Sequence, residues 1–375
     1  MTRVVTFGEI MLRLGAPGHE RLLQSPQLEA TFGGGEANVA VSLAKLGIDS
    51  ALVTALPGGA IGDAAIAELR RHGVNTSQIA RSGERVGIYF VETGSDERPS
   101  VVVYDRAHSA ISEAERGSFD WDAILEGVDW FHVSGITPAL SGRAADLCFE
   151  AVSSAKRRGV TVSCDYNFRA KLWRYGKPAP EVMRELVGLV DVGIANEEDC
   201  QRSLGIAPPA PAPAEAPIPT EAPAPAEAPT PAEAPIPAEA VPSEEIPDTL
   251  DLDRYGRLCA TVLEEFPNLR CQAITLRTSH SASHNEWSAC LCNRREFLVG
   301  PRYDVAHIVD RVGTGDSFAA GLIHSLLTGA SDQQALDFAV AASALKHTIP
   351  GDFNLVGLEE VQRLAAGDAG GRIQR

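Results

Sequence analysis

The chain has 375 residues, 44% of them hydrophobic, with a formal net charge of −17 at pH 7, enough apolar material for a full-sized core. So acidic a balance excludes a nucleic-acid surface, which needs a basic footprint, and no apolar run is long enough to span a bilayer. The seven cysteines are scattered, with only Cys290 and Cys292 close together and no histidine at zinc-site spacing, so buried free thiols in a reducing, cytoplasmic compartment are expected.

The N-terminal stretch "RVVTFGEI" reads as a strand without the charged, apolar and cleavage regions of a secretory signal. Residues 10–32 read as further strands. "NVAVSLAKLG" is a helix that stops at Gly47, "SALVTAL" a strand, and "GDAAIAELRRHG" a helix that stops at Gly73. "VGIYFVETGSDERPSVVVYDR", within 86–106, reads as two strands and a turn. Then "WFHVSG", "AADLCFEAVSSAKRRG", "VTVSCDYN" and "VDVGIAN" run strand, helix, strand, strand, and "YGRLCATVLEEF" and "CQAITLR" resume the pattern after residue 250. This alternation predicts an α/β fold with a parallel sheet covered by helices on both faces, and the strands at 10–32 and 86–106 predict a projecting lid.

Between the two halves, residues 207–247 hold glutamates at a six-residue period (Glu215, Glu221, Glu227, Glu233 and Glu239) set among prolines, with no lysine or arginine. Such a segment cannot build a core and is expected to be an extended, mobile spacer. The 369–375 end is expected to be a flexible tail.

In α/β sheets ligands bind at the carboxyl ends of the strands. Those ends lead into Gly33–Asn38, Asp165–Arg169, Asn196 and Gly313–Asp316. In "DRVGTGDSFAAGLI", 310–323, two glycines and an acid precede Phe318, Leu322, Ile323 and Leu326, which are spaced as one face of a helix. A turn with Asp316 or Ser317 as N-cap would account for the stretch. So would an anion site, where free N–H groups at a helix start bind a phosphoryl group and the neighbouring acid takes a proton. "GGGEAN" has Asn38 where a dinucleotide fingerprint needs its third glycine, and neither a P-loop nor a G-x-S-x-G elbow occurs. An acid beside an anion site suits phosphoryl transfer.

"DRVGTGDSFAAGL" resembles the C-terminal signature of the ribokinase-like (PfkB) carbohydrate kinases, and "FGGGEANVAVSLAKLG" resembles their N-terminal glycine signature. "YDRAHSA", "DYNFRAKLW" and "ALKHTIPGDFN" are similar to the members that phosphorylate 2-dehydro-3-deoxygluconate. The resemblance runs from Val4 to about Leu364, and it implies a three-layer αβα kinase domain of residues 1–206 and 248–368.

By that resemblance Asp316 is the general base, and Gly313, Thr314 and Gly315 supply anion-hole amides. Gly34, Gly35 and Asn38 contact sugar hydroxyls, Tyr89 and Tyr104 come from the lid, and Arg106 and Arg169 surround the substrate carboxylate. Asn196 and the acids after it resemble an N-x-x-E element near Mg²⁺, with Glu198 or Asp199 ordering the metal's waters. The same "NEED" run also suits a helix start. Residues 275–290, "TLRTSHSASHNEWSAC", lack the glycine-bearing loop of many members, leaving side-chain contacts to ATP through Arg277 or Ser281, or altered nucleotide binding. His280, His284 and His307 read as surface residues. Gly351 and Asn354 would approach the adenine, and Asp310 lies near a monovalent-cation site in some relatives. The resemblance thus implies an ATP- and Mg²⁺-dependent kinase of a small sugar acid, able to form a homodimer through its lid strands. Fructose, ribose or 2-dehydro-3-deoxygalactonate as substrate, and a non-catalytic sugar-acid binder, are the alternatives.

Overall fold

Strands that are apolar on both sides need cover on both sides, and this requirement shapes the molecule. In the computed structural model, which describes residues 3–207 and 251–368, Val4–Phe7, Trp130–Ser134 and Val192–Ala195 are buried at every position, and Thr161–Asp165 at all but its first. Val5, Phe7, Phe131, Val133, Val162 and Cys164 face one helical layer, formed by Gly142–Arg157, Ala179–Val187, Glu197–Leu204 and Leu252–Glu265. Val4, Trp130, Val192, Ile194 and Ala273 face the other, formed by Gly35–Lys45, Thr314–Leu327 and Asp332–Lys346. The expected three-layer arrangement is therefore present. Nearly all of the 207–247 insertion and the 369–375 tail lie outside the described residues.

Across the main sheet the parallel strands run in the order Ser50–Val53, Val4–Phe7, Trp130–Ser134, Thr161–Asp165, Val192–Ala195 and Cys271–Ser281. Antiparallel strands His284–Cys292, Phe297–Val299 and Tyr303–Val305 complete that edge. The 275–290 stretch, anticipated as a nucleotide loop, is thus a β-hairpin with a register shift between Ser279 and Ser281. Its polar residues from Thr275 to His284 are exposed or half-buried, whereas Asn285 and Ser288 are buried.

The lid is a separate four-stranded sheet in the order Glu29–Gly33, Met11–Gly15, Ile88–Glu92, Val101–Asp105. Its two central strands pair in parallel although far apart in sequence. The turn at its tip meets the hairpin of the main sheet, where Ala282 N donates to Asp96 O at 2.7 Å.

Candidate active site

Asp316 stands in the first turn of the Thr314–Leu327 helix, which starts from Gly313 in the left-handed region, φ 83°. A Cβ on Gly313 would lie 2.1 Å from Asp352 O, so this turn both adopts a backbone that side chains disfavour and packs against another backbone. Apart from its chain neighbours and its own helix backbone, no described atom lies within 4 Å of where a Cβ on Gly315 would be. The helix start therefore presents N–H groups and the positive end of a dipole to open space.

Across that space is the start of the Gly35–Lys45 helix. Asn38 Nδ2 donates to Asp316 Oδ2 at 2.7 Å, while its Oδ1 accepts from Gly34 N at 3.2 Å. Gly34 passes so near Glu9 that a Cβ would sit 2.0 Å from the Glu9 carbonyl oxygen. Burial pushes the Asp316 carboxyl up to about 7, with Asp352 and Glu36 adding to the rise and the Asn38 hydrogen bond opposing it. A carboxyl titrating there can hold or release a proton at neutral pH.

The strand ends supply the surrounding charges. Asp165 ends its strand buried, its pKa raised by burial and by the nearby Asp199 and Asp316 carboxylates, while Arg169 opposes the shift. Asn167, at φ 35°, turns the chain sharply just before Arg169. Arg169 is exposed and donates to Phe168 O at 2.8 Å.

Asp199 accepts from Phe168 N at 2.8 Å and Asn196 N at 3.2 Å, and Asn196 Oδ1 accepts from Asp199 N at 2.7 Å. These two residues thus cap the Glu197–Leu204 helix with a capping box, as the helix-start reading of "NEED" has it. Glu197 pairs with Arg254, whereas the Glu198 side chain is 71% exposed. Arg277 extends from the hairpin with its pKa lowered by burial and by Arg169, and raised in part by Glu198. Among the described residues no group of three or more His, Cys, Asp or Glu side chains is arranged to hold a metal ion.

On the lid, Tyr89 and Tyr104 are direct cross-strand partners with ring centroids 6.0 Å apart. Tyr104 is 38% exposed; Tyr89 is buried, and its hydroxyl donates to Asp352 Oδ1 at 2.5 Å. Arg106 lies over the Tyr104 ring at 5.4 Å and is itself buried, donating from Nε to Glu9 Oε2 at 2.8 Å. Glu9 Oε1 has no described partner.

The structure therefore gathers Gly34, Gly35, Asn38, Asp165, Arg169, Gly313 and Gly315 about the Asp316 carboxyl. Two residues expected at a ligand also have internal partners. Arg106 is paired with Glu9. Asn354 is interior, its Nδ2 donating to Ala342 O and its Oδ1 accepting from Val356 N, both at 3.3 Å. Ser281 shapes the hairpin tip, where its Oγ accepts from Ser283 N at 3.1 Å. Gly351 lies beside this region with its amide donating to Asp310 Oδ2 at 3.1 Å. The His280 and His284 rings lie 4.6 Å apart, tilted by 36°, each facing an acid, Glu286 and Asp304 respectively.

Glu36 carries a structural role that sequence reasoning missed. Wholly buried, its Oε1 accepts from Ser134 N, Ser134 Oγ and Thr137 Oγ1 at 2.7 to 3.0 Å. It pins the start of the Gly35–Lys45 helix to the neighbouring strand end. An ionisable residue inside the small, apolar run "GGGEANVAV" was the available signal.

A sequence model described as pfkB family carbohydrate kinase matches residues 1–218 and 291–354. The chain is 32% identical over 368 residues to a 2-dehydro-3-deoxygalactonokinase of Haloferax volcanii, covering 98% of each chain. It is 26% identical to a 2-dehydro-3-deoxygluconokinase of Bacillus subtilis, covering 96% of this chain and 94% of that one. Among solved structures, the 2-dehydro-3-deoxygluconokinase of Thermotoga maritima superposes with a TM-score of 0.84 at 44% identity, covering 98% of this chain and all of that one.

Proposed function

Since the chain belongs to the pfkB family of carbohydrate kinases, we propose that it transfers the γ-phosphoryl group of ATP to the terminal hydroxyl of 2-dehydro-3-deoxy-D-gluconate. The observation that carries this reading is the Asp316 carboxylate, held by Asn38 beside a helix start that faces open space. Asp316 takes the hydroxyl proton as the sugar oxygen attacks the γ-phosphorus and the bond to ADP breaks. The amides of Gly313, Thr314 and Gly315 receive the charge on the transferring group.

Arg169 binds the sugar-acid carboxylate from the exposed side, and an arginine suits that planar anion. Arg106, steadied by Glu9, provides the second positive charge, with Tyr104 against the sugar and Tyr89 behind it. Gly34 and Gly35 leave room for sugar hydroxyls. Arg277 and Ser281, with Asn196 and the loop that carries Gly351 and Asn354, border the nucleotide. Mg²⁺, when bound with ATP, neutralises phosphate charge. The exposed Glu198, more than the helix-capping Asp199, suits the water-mediated contacts that this ion favours. The 44% identity to the Thermotoga gluconokinase supports the gluconate epimer, while the Haloferax galactonokinase at 32%, above the Bacillus gluconokinase at 26%, makes the galactonate epimer the substrate to compare it with.

The same reading makes residues 1–206 and 248–368 one kinase domain, with 207–247 a spacer outside its chemistry. The lid's outer strand exposes Val101 and Val103, which supports a homodimer through that edge. Seven buried free thiols support a reducing cytoplasm.

The test is ADP release with Mg-ATP, comparing 2-dehydro-3-deoxygluconate, its galactonate epimer, gluconate, fructose and ribose. Turnover confined to the deoxy-keto acids, fastest on the gluconate epimer, is expected. Turnover only on a neutral sugar would discard the substrate. Binding of the sugar acid without turnover would make the protein a binder.

A further inference from the structure

Behind the turn that starts the Thr314 helix lies a buried cluster of four charges. Arg13, on the lid strand Met11–Gly15, donates from Nη2 to Asp310 Oδ2 and from Nη1 to Asp352 Oδ1, both at 2.6 Å. Asp310 also accepts from Val312 N at 2.9 Å on Oδ1 and from Gly351 N at 3.1 Å on Oδ2. Lys346, 0% exposed, donates to Ile349 O at 3.0 Å. Burial lowers its pKa, and the same Asp310 and Asp352 oppose that shift. Burial acts on Arg13 too, but the two carboxylates outweigh it and hold the guanidinium charged. Two acids thus meet the fixed charge of Arg13, with the Lys346 amine close enough to feel both.

By the resemblance, Asp310 lies near a monovalent-cation site of some relatives, and the residues here do not fit such an ion. Such an ion needs oxygen ligands turned toward an open position. Here both Asp310 oxygens have donors, and the Ile349 carbonyl accepts from Lys346. A further positive charge would leave the buried cluster unbalanced, and an uncompensated buried charge is strongly unfavourable. We propose that Arg13, seconded by Lys346, occupies the structural place of that ion. Arg13 is thereby a positioning residue that ties the lid to the turn carrying Gly313 and frees the protein from any need for a monovalent cation. Its effect on turnover rests on the kinase reading; its effect on cation binding does not.

The test compares the intact protein in buffers whose monovalent cation is potassium, sodium or the bulky tetramethylammonium. Melting temperature is expected to agree within about 1 °C, since a ligand stabilises only what it binds. For the same reason kcat/KM on 2-dehydro-3-deoxygluconate should agree within about twofold. A potassium-specific rise of several degrees, or about tenfold stimulation, would overturn the proposal. Arg13→Met opens the position: it should melt higher in potassium than in tetramethylammonium and lose roughly tenfold in kcat with KM nearly unchanged. An Arg13→Met protein as active as the parent and indifferent to potassium would overturn it as well. If that variant does not fold, Arg13→Lys, which keeps the charge, should remain indifferent to potassium. Gained potassium dependence there counts against the proposal. Should no sugar be phosphorylated, the melting comparison still decides, separating this inference from the kinase reading.

Discussion

A carboxyl that titrates near 7 leaves a signature in both rate and stability. If Asp316 is the base, kcat/KM should fall below about pH 7 with a one-proton limb. Asp316→Asn should lose roughly 10²- to 10⁴-fold in kcat while calorimetry finds sugar-acid affinity nearly unchanged. Equal loss of both would make Asp316 structural. The stability sign follows from burial. The folded pKa lies above the ordinary 3.8, so ionising Asp316 destabilises the fold progressively as pH rises from about 4 to 7, and constantly above that. The Asn variant should therefore melt higher than the parent at pH 8 and no higher at pH 4. Arg169→Ala should weaken binding of sugar acids far more than of neutral sugars, and an unchanged preference would remove Arg169 from the carboxylate. The place of Asp316 in the first turn of a helix was legible because glycines and an apolar helix flank it in sequence. Arg13 was not, since its meaning lies in Asp310 and Asp352, nearly 300 or more residues away.

The element that links chemistry to fold is the turn before the Thr314 helix. Gly313→Ala must give a side-chain residue a left-handed backbone and thrust a methyl at Asp352 O. A loss of about 1–3 kcal/mol is expected by chemical denaturation, together with a fall in kcat exceeding the rise in KM. A variant of unchanged stability would mean that the turn relaxes freely. The alternation of strand and helix was legible because both faces of the parallel sheet are covered, which writes apolar runs into each strand. The hairpin at 275–290 was not, because serine and histidine fill its exposed and half-buried tip in place of the apolar pattern. Nor could periodicity reveal that Met11–Gly15 pairs in parallel with Ile88–Glu92, a pairing set by tertiary packing.

For the whole molecule, the residues gathered about Asp316 all come from the described parts on either side of the Pro/Glu insertion. Deleting 207–247 should leave kcat and KM nearly unchanged, and a collapse of turnover would make the segment part of the site. Val103→Arg on the outer lid strand should yield monomers by sedimentation; an unchanged dimer would move the interface elsewhere, and a monomeric parent would remove it. One further property follows from the seven free, buried cysteines. They are spread over both halves of the chain, from Cys148 to Cys292, and none sits on a surface loop. A thiol reagent added to the native protein would therefore wait for the core to open at six of them, whereas Cys292, 8% exposed in a surface cavity beside Phe297 and with its thiol pKa lowered by Cys259, should react first. The rate at which the other six react would time global unfolding, and any of those that reacts early would mark a part of the core that opens by itself.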